Sequence, residues 1–171
     1  MLSSKTGRTT VAHTFLEAMM RKDVEAAMAY FNELSVWEIA VNTRAHPAAG
    51  LACGETQIEE RLLRFMNEFE FISLQPTHLD FYSEDDLVGM RCRIRLRERE
   101  TGEPYGSVVH YLFRIEGGVI IRLDEGHDTG RFQAYLGYVH SLKTSSVPAN
   151  CERRAKATRS PISTLLDCLD A

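Results

Sequence analysis

The segment 87–99, "LVGMRCRIRLRER", leaves a folding chain few options. Val88, Met90, Cys92, Ile94 and Leu96 alternate with Arg91, Arg93, Arg95 and Arg97. Successive side chains of a strand point to opposite faces, so this spacing gives one apolar face and one cationic face. The turn "ETGEP" leads into "YGSVVHYLFRI", and "EGG" leads into "VIIRLDEG". Alternating runs joined by short glycine-containing turns define an antiparallel meander. "THLDFYS", ending in the acidic turn "EDD", supplies a strand before it.

The first half has a different period. In "TTVAHTFLEAMMRK", Val11, Phe15, Leu16 and Met19 recur at helical spacing behind a threonine suited to capping. Asp23 reads as the N-cap of a second helix, "VEAAMAYF", with Val24, Ala27, Met28 and Phe31 as its buried stripe. "LSVWEIAVN" reads as the first strand and "HPAAGLACG" as loop. A third helix, "ETQIEERLLRFMNEFEF", carries Ile58, Leu62, Phe65, Met66 and Phe69 at intervals of three and four. Helices followed by one curling sheet make an α+β architecture.

With 171 residues and 44% hydrophobic composition, the chain can build one core. Its net charge of −4 and pI of about 5.9 argue against nucleic acid or an acidic membrane surface as partner. The arginine row of 91–97 lacks interleaved surface aromatics and has the acids of "ERETGE" nearby, so it reads as a solvated or dimer-facing surface. No apolar run approaches the roughly 20 residues of a membrane span, and "MLSSKTGRTT" lacks the apolar core of a secretory signal. A cytoplasmic setting follows as the expectation. Cys53, Cys92, Cys151 and Cys168 show no metal-ligand spacing. After Tyr138 the chain turns Ser-, Thr- and Lys/Arg-rich, which reads as a linker ending in a short amphipathic segment, "ISTLLDCLDA". The organisation expected is an arm over 1–9, a domain over 10–140 and an extension over 141–171.

Four segments in order, "FLEAMMRKDVEAAMAYFNELSVWE", "GLACGETQIEERLLRF", "GSVVHYLFRIEGGVIIRLDE" and "HDTGRFQAYLG", resemble the SnoaL-like polyketide cyclases and ketosteroid isomerases of the nuclear-transport-factor-like superfamily. The resemblance implies a cone-shaped, cystatin-like fold: a curved antiparallel sheet packed against N-terminal helices and wrapped around an apolar pocket. It also implies a homodimer through the sheet's outer face.

A cone makes sense of "IIRLDEGHDTGRF", residues 120–132. Ile121 and Leu123 belong on one face, which then receives Glu125 and His127. On the preceding strand Val109, Tyr111 and Phe113 form the inward row and His110 faces out. On the first strand Val36, Glu38 and Ala40 share one face, Trp37, Ile39 and Val41 the other. By its resemblance to ketosteroid isomerase, Glu38 falls at the position of the carboxylate base, while Phe15 and Val109 replace the two oxyanion donors. Losing even one such donor costs about a hundredfold or more, so true steroid isomerase activity is not expected. The candidate catalytic set is Glu38 as base, His127 as acid or orienting group, and Tyr111 as donor. Phe15, Trp37, Val109, Phe113 and Glu125 line the expected pocket.

A carboxylate and an imidazole across a dry cavity can divide base and acid roles. No nucleophile with a matched base is evident. The expectation is a cofactor-free acid/base enzyme, of isomerase, cyclase, dehydratase or hydrolase type, acting on an apolar oxygenated small molecule. Two rivals stand beside it: a pocket protein without chemistry, and a structural subunit resembling a dioxygenase small subunit. Structural roles compete residue by residue. Glu38 could point outward, His127 could bond a loop carbonyl, Glu125 could pair with an arginine, and Asp128 suits the cap of "TGRFQAYLG". His13, His46, His78 and His110 suit surface or packing roles, and no metal site is expected.

Overall fold

The computed structural model describes residues 5–40, 49–82 and 87–145. The first half forms helix α1 (Lys5–Arg21), helix α2 (Val24–Met28), strand β1 (Val36–Ile39), strand β2 (Gly50–Cys53) and helix α3 (Gly54–Glu68). Strands β3 (Phe69–Tyr82), β4 (Leu87–Glu98), β5 (Pro104–Glu116) and β6 (Val119–Gly126) follow, and helix α4 (Thr129–Ser145) comes last. The six strands make one sheet in the order β2-β1-β6-β5-β4-β3. It does not close on itself. Pairing is antiparallel except between β1 and β6, which run parallel.

The alternation in β4 decides which face is inside. Val88, Met90, Cys92, Ile94 and Leu96 are buried, while the four arginines between them are exposed. On β5 the buried row is Tyr105, Val109, Tyr111, Phe113 and Ile115, and His110 faces out as expected. Register shifts in β3 between Phe71 and Ser73 and between Pro76 and His78 mark bulges, which bend a strand and increase its twist. The turn between β5 and β6 sets Gly117 and Gly118 at φ of 58° and 91°, a left-handed region that glycine enters without steric cost.

The inner face is filled at one end by aromatic rings. Phe15 of α1, fully buried, lies 5.3 Å from Phe31, 5.8 Å from Trp37 and 6.1 Å from Phe113 between ring centroids, each near edge-to-face. α3 adds Ile58, Leu62, Phe65 and Met66 from its apolar stripe. Asp23 caps α2 by accepting from the Ala26 N–H at 3.0 Å. None of the described helices is long and apolar enough to cross a membrane.

Several boundaries differ from the sequence expectations. α1 begins at Lys5, so Thr10 lies within the helix and its hydroxyl donates back to the Thr6 carbonyl. α2 stops at Met28, with Phe31 still buried one turn later. α3 ends at Glu68; Phe69 already opens β3, which is 14 residues long. Within "HPAAGLACG", Gly50–Cys53 pairs with β1 as an edge strand. α4 runs on to Ser145 with Val139 buried, so 139–145 is helix rather than linker. "ISTLLDCLDA" lies outside the described residues.

Candidate functional site

The strand that carries the site contains one residue too many for strict alternation. Ile115 pairs with Ile120 and Arg114 with Arg122, which leaves Ile121 in a bulge. Ile120, fully buried, takes the core position expected for Ile121, which is only half-buried. Past the bulge the row is as expected: Leu123 and Glu125 point inward, and Arg122 and Asp124 outward. His127 extends the inner row beyond the strand end, with its side chain 2% exposed.

Glu125 is held by two donors. Its Oε1 lies 2.7 Å from His127 Nε2, and its Oε2 accepts from Trp37 Nε1 at 3.1 Å. Trp37 reaches it because the parallel pairing sets Trp37 opposite Leu123 and Ile39 opposite Glu125. Behind Trp37 stands Arg61 of α3, its guanidinium carbon 5.8 Å from the indole centroid. Arg61 donates to the Trp37 carbonyl at 2.6 Å and the Gly50 carbonyl at 2.9 Å, fastening β1 and β2 to the helix. Burial lowers its pKa, and the neighbouring Glu125 partly offsets this.

A carboxylate can only accept, so in the neutral imidazole the proton lies on Nε2, facing Glu125, and the lone pair on Nδ1. The ring is stacked on Phe132 of α4, with centroids 5.2 Å apart and planes 20° from parallel. Nδ1 is buried and has no hydrogen-bond partner among the described residues. Tyr111, buried directly across from Glu125 on β5, has its hydroxyl pushed well above the ordinary value by burial and then by the Glu125 charge. The same two causes push the Cys92 thiol up to about 11. At neutral pH, therefore, Tyr111 is a donor and Cys92 is not a nucleophile.

The site differs from the expected one in its carboxylate. Glu38 does not face the interior: it shares the outer face with Arg122 and Asp124, because the inward positions of β1 belong to Trp37 and Ile39. Its Oε2 lies 2.6 Å from Arg122, whose guanidinium also grips Asp124, and its side chain is 44% exposed. Those partners hold the Arg122 pKa up, Asp124 foremost. Glu38 and His127 therefore stand on opposite faces of the sheet. Glu125, expected only to line a pocket, is the carboxylate that meets His127. Phe15, Trp37, Val109 and Phe113 are buried within the core. Asp128 caps α4, accepting from the Arg131 N–H at 3.1 Å.

Sequence inspection passed over Arg61, Glu98, Tyr105 and Phe132. Arg61 sits between Ile58 and Leu62 in the stripe of α3, and that position was its signal. Glu98 continues the inward row of β4 and is 1% exposed. It accepts from the Thr101 N–H at 2.7 Å and hydroxyl at 2.6 Å, and pairs with Lys143 of α4 at 2.8 Å. Burial pushes this carboxyl up, but the bonds from Lys143, Thr101 and the Glu100 N–H outweigh it and hold the pKa at about 2. With the Tyr135 hydroxyl donating to the Glu103 carbonyl at 2.9 Å, this clasp fixes α4 to the β4–β5 turn. Among the described residues, no three His, Cys, Asp or Glu side chains gather closely enough to hold a metal ion.

A curved, unclosed six-stranded sheet with helices packed over one face is a cone-like α+β fold. Solved structures share this fold. A proposed isomerase from Rhodopseudomonas palustris superposes with a TM-score of 0.67 at 16% identity, over 73% of this chain and 96% of its own. TerC, co-crystallised with polyporic acid, gives 0.66 at 14% identity, over 76% and 98%. An LEH-like epoxide hydrolase from M. tuberculosis gives 0.62 at 15% identity, over 81% and 96%. No curated protein matches the chain in sequence. Residues 12–123 match the SnoaL-like domain, and the chain belongs to that family.

Proposed function

We propose that this SnoaL-like protein is a cofactor-free acid/base enzyme acting on an apolar, oxygenated small molecule, with His127 moving the proton and Glu125 orienting it. The observation that carries the reading is the 2.7 Å contact between Glu125 and His127 Nε2, which leaves Nδ1 buried and unpartnered among the described residues. A carboxylate that fixes one nitrogen presents the other with a defined lone pair, the arrangement a general base requires. Tyr111 supplies a protonated hydroxyl beside the dyad. The neighbours described as a proposed isomerase and an LEH-like epoxide hydrolase support proton transfer of the isomerase or hydrolase kind, and the proposal extends to cyclase and dehydratase chemistry. The proposal includes a homodimer through the outer face of the sheet, where Val108 stands exposed beside the arginine row.

The test is turnover across a panel of cyclic epoxides, hydroxyketones and unsaturated ketones. Glu125→Gln and His127→Gln are each expected to lower kcat by about 10²- to 10⁴-fold, and Glu38→Gln to leave it unchanged. Undiminished turnover in both dyad variants refutes the mechanism. Light scattering checks the dimer, which a monomeric mass would exclude.

A further inference from the structure

His127 Nδ1 is one of two buried side-chain polar atoms without a hydrogen-bond partner among the described residues; the other is the Tyr105 hydroxyl oxygen. Both residues lie against one ring. Phe132 stacks on His127 at 5.2 Å and tilts against Tyr105 at 5.3 Å. Tyr105 occupies the first inner position of β5 and is 5% exposed. Burial pushes the Tyr105 pKa up, and Ser107, two residues along, stands near enough to draw it partly back down. The Ser107 hydroxyl is nevertheless directed at the Val108 carbonyl at 3.4 Å, and the Tyr105 oxygen has no partner at hydrogen-bond geometry among the described residues. Tyr135, 4.8 Å away between centroids, spends its own hydroxyl on the Glu103 carbonyl.

An unpaired buried hydroxyl is costly, and folded proteins keep few. Two unsatisfied atoms flanking one aromatic ring, one of them the free nitrogen of an oriented imidazole, are explained together by a ligand that pairs with both. Nδ1 accepts a hydrogen bond, and a neutral phenol donates one. The flat apolar surfaces around them are Phe132, Phe69 (6.4 Å from Phe132) and Tyr135. We infer that Tyr105 and His127 Nδ1 are the two polar contacts of one ligand site, roofed by Phe132 of α4. Its ligand is an apolar ring compound bearing a hydroxyl that donates to Nδ1 and a carbonyl that accepts from Tyr105. This deepens the proposed function and rests on it for the role of His127. Tyr105 is a specificity contact, and Phe132 is the side chain that yields on entry.

The probe is 5-hydroxy-1-tetralone, a neutral fused-ring ketone with a phenol, titrated calorimetrically into the full-length protein. Binding to the wild type is expected, weakened about tenfold by Tyr105→Phe, the loss of one hydrogen bond. The 5-methoxy analogue, which cannot donate, is expected to bind the wild type about tenfold more weakly than the parent. Tyr105→Phe removes an unsatisfied hydroxyl and keeps the ring, so its Tm is expected to rise by about 2–4 °C. Absence of wild-type binding overturns the ligand class. Equal affinity in Tyr105→Phe, or a lowered Tm, overturns the role of the hydroxyl. Turnover separates the two readings: loss in His127→Gln with unchanged Tyr105→Phe affinity refutes the Tyr105 assignment alone. Tyr105-dependent affinity without His127-dependent turnover refutes the catalytic reading alone.

Discussion

Replacing Glu98 by glutamine removes the charge at the centre of the clasp between α4 and the β4–β5 turn. The native carboxyl is held at about 2 against an ordinary value of 4.5. At about 1.4 kcal/mol per pH unit, that difference corresponds to about 3 kcal/mol of folding stability at neutral pH. Because the folded pKa is depressed, the contribution is complete above about pH 4.5. It is lost progressively as pH falls from there to about 2, where both states hold the proton. Glutamine keeps an acceptor for Thr101 but leaves the Lys143 ammonium without its buried charge partner, and Lys143 also contacts Glu100 at 2.9 Å. Urea denaturation of wild type and Glu98→Gln should differ by about 2–3 kcal/mol at pH 7, or about 4–12 °C in Tm. The gap should close as the pH approaches 2. Lys143→Met alone should cost less, since Thr101 still binds the carboxylate. A gap under about 0.5 kcal/mol at pH 7, or one that does not change between pH 7 and pH 3, would refute the reasoning.

Phe15→Ala empties a fully buried position among three aromatic rings and should cost about 3–5 kcal/mol in chemical denaturation. Glu38→Gln breaks a half-exposed ion pair, so its cost should stay below about 1 kcal/mol and shrink further in high salt. The Cys92 thiol, pushed up to about 11 and buried, should resist a disulfide reagent at pH 8 until the protein unfolds. A chain with serine at positions 53, 151 and 168 isolates that measurement.

The architecture was legible wherever a period ran long enough to be unambiguous. Nine residues of alternation in β4 fix both its faces, and the stripe of α3 fixes the side it buries. β1 was legible as a strand but not as to facing, since four residues carry an apolar group on either parity: Val36 with Glu38, or Trp37 with Ile39. What decides is the size of Trp37 and its partner Glu125, and that partner is set by a pairing between residues far apart in the chain. The same contact explains why Glu125, and not Glu38, lies on the face that His127 shares. β2 escaped notice because an edge strand of four residues has too little pattern to announce itself. The bulge at Ile121 escaped notice because isoleucines at both 120 and 121 satisfy either register. Tyr105 and Phe132 belong to a site that only the docking of α4 creates.

The parallel pairing of β1 with β6 also governs the order of assembly. Val36 meets Arg122, so the first strand has β2 beside it but no route into the sheet until the last strand has formed. Closing so large a loop comes late, because its entropy is spent before any contact repays it. The β3–β6 meander can form first from hairpins, with β1 and its helices docking afterwards. The chain's single tryptophan lies on that late seam, so its fluorescence should follow the final step of refolding while far-ultraviolet dichroism follows the earlier ones.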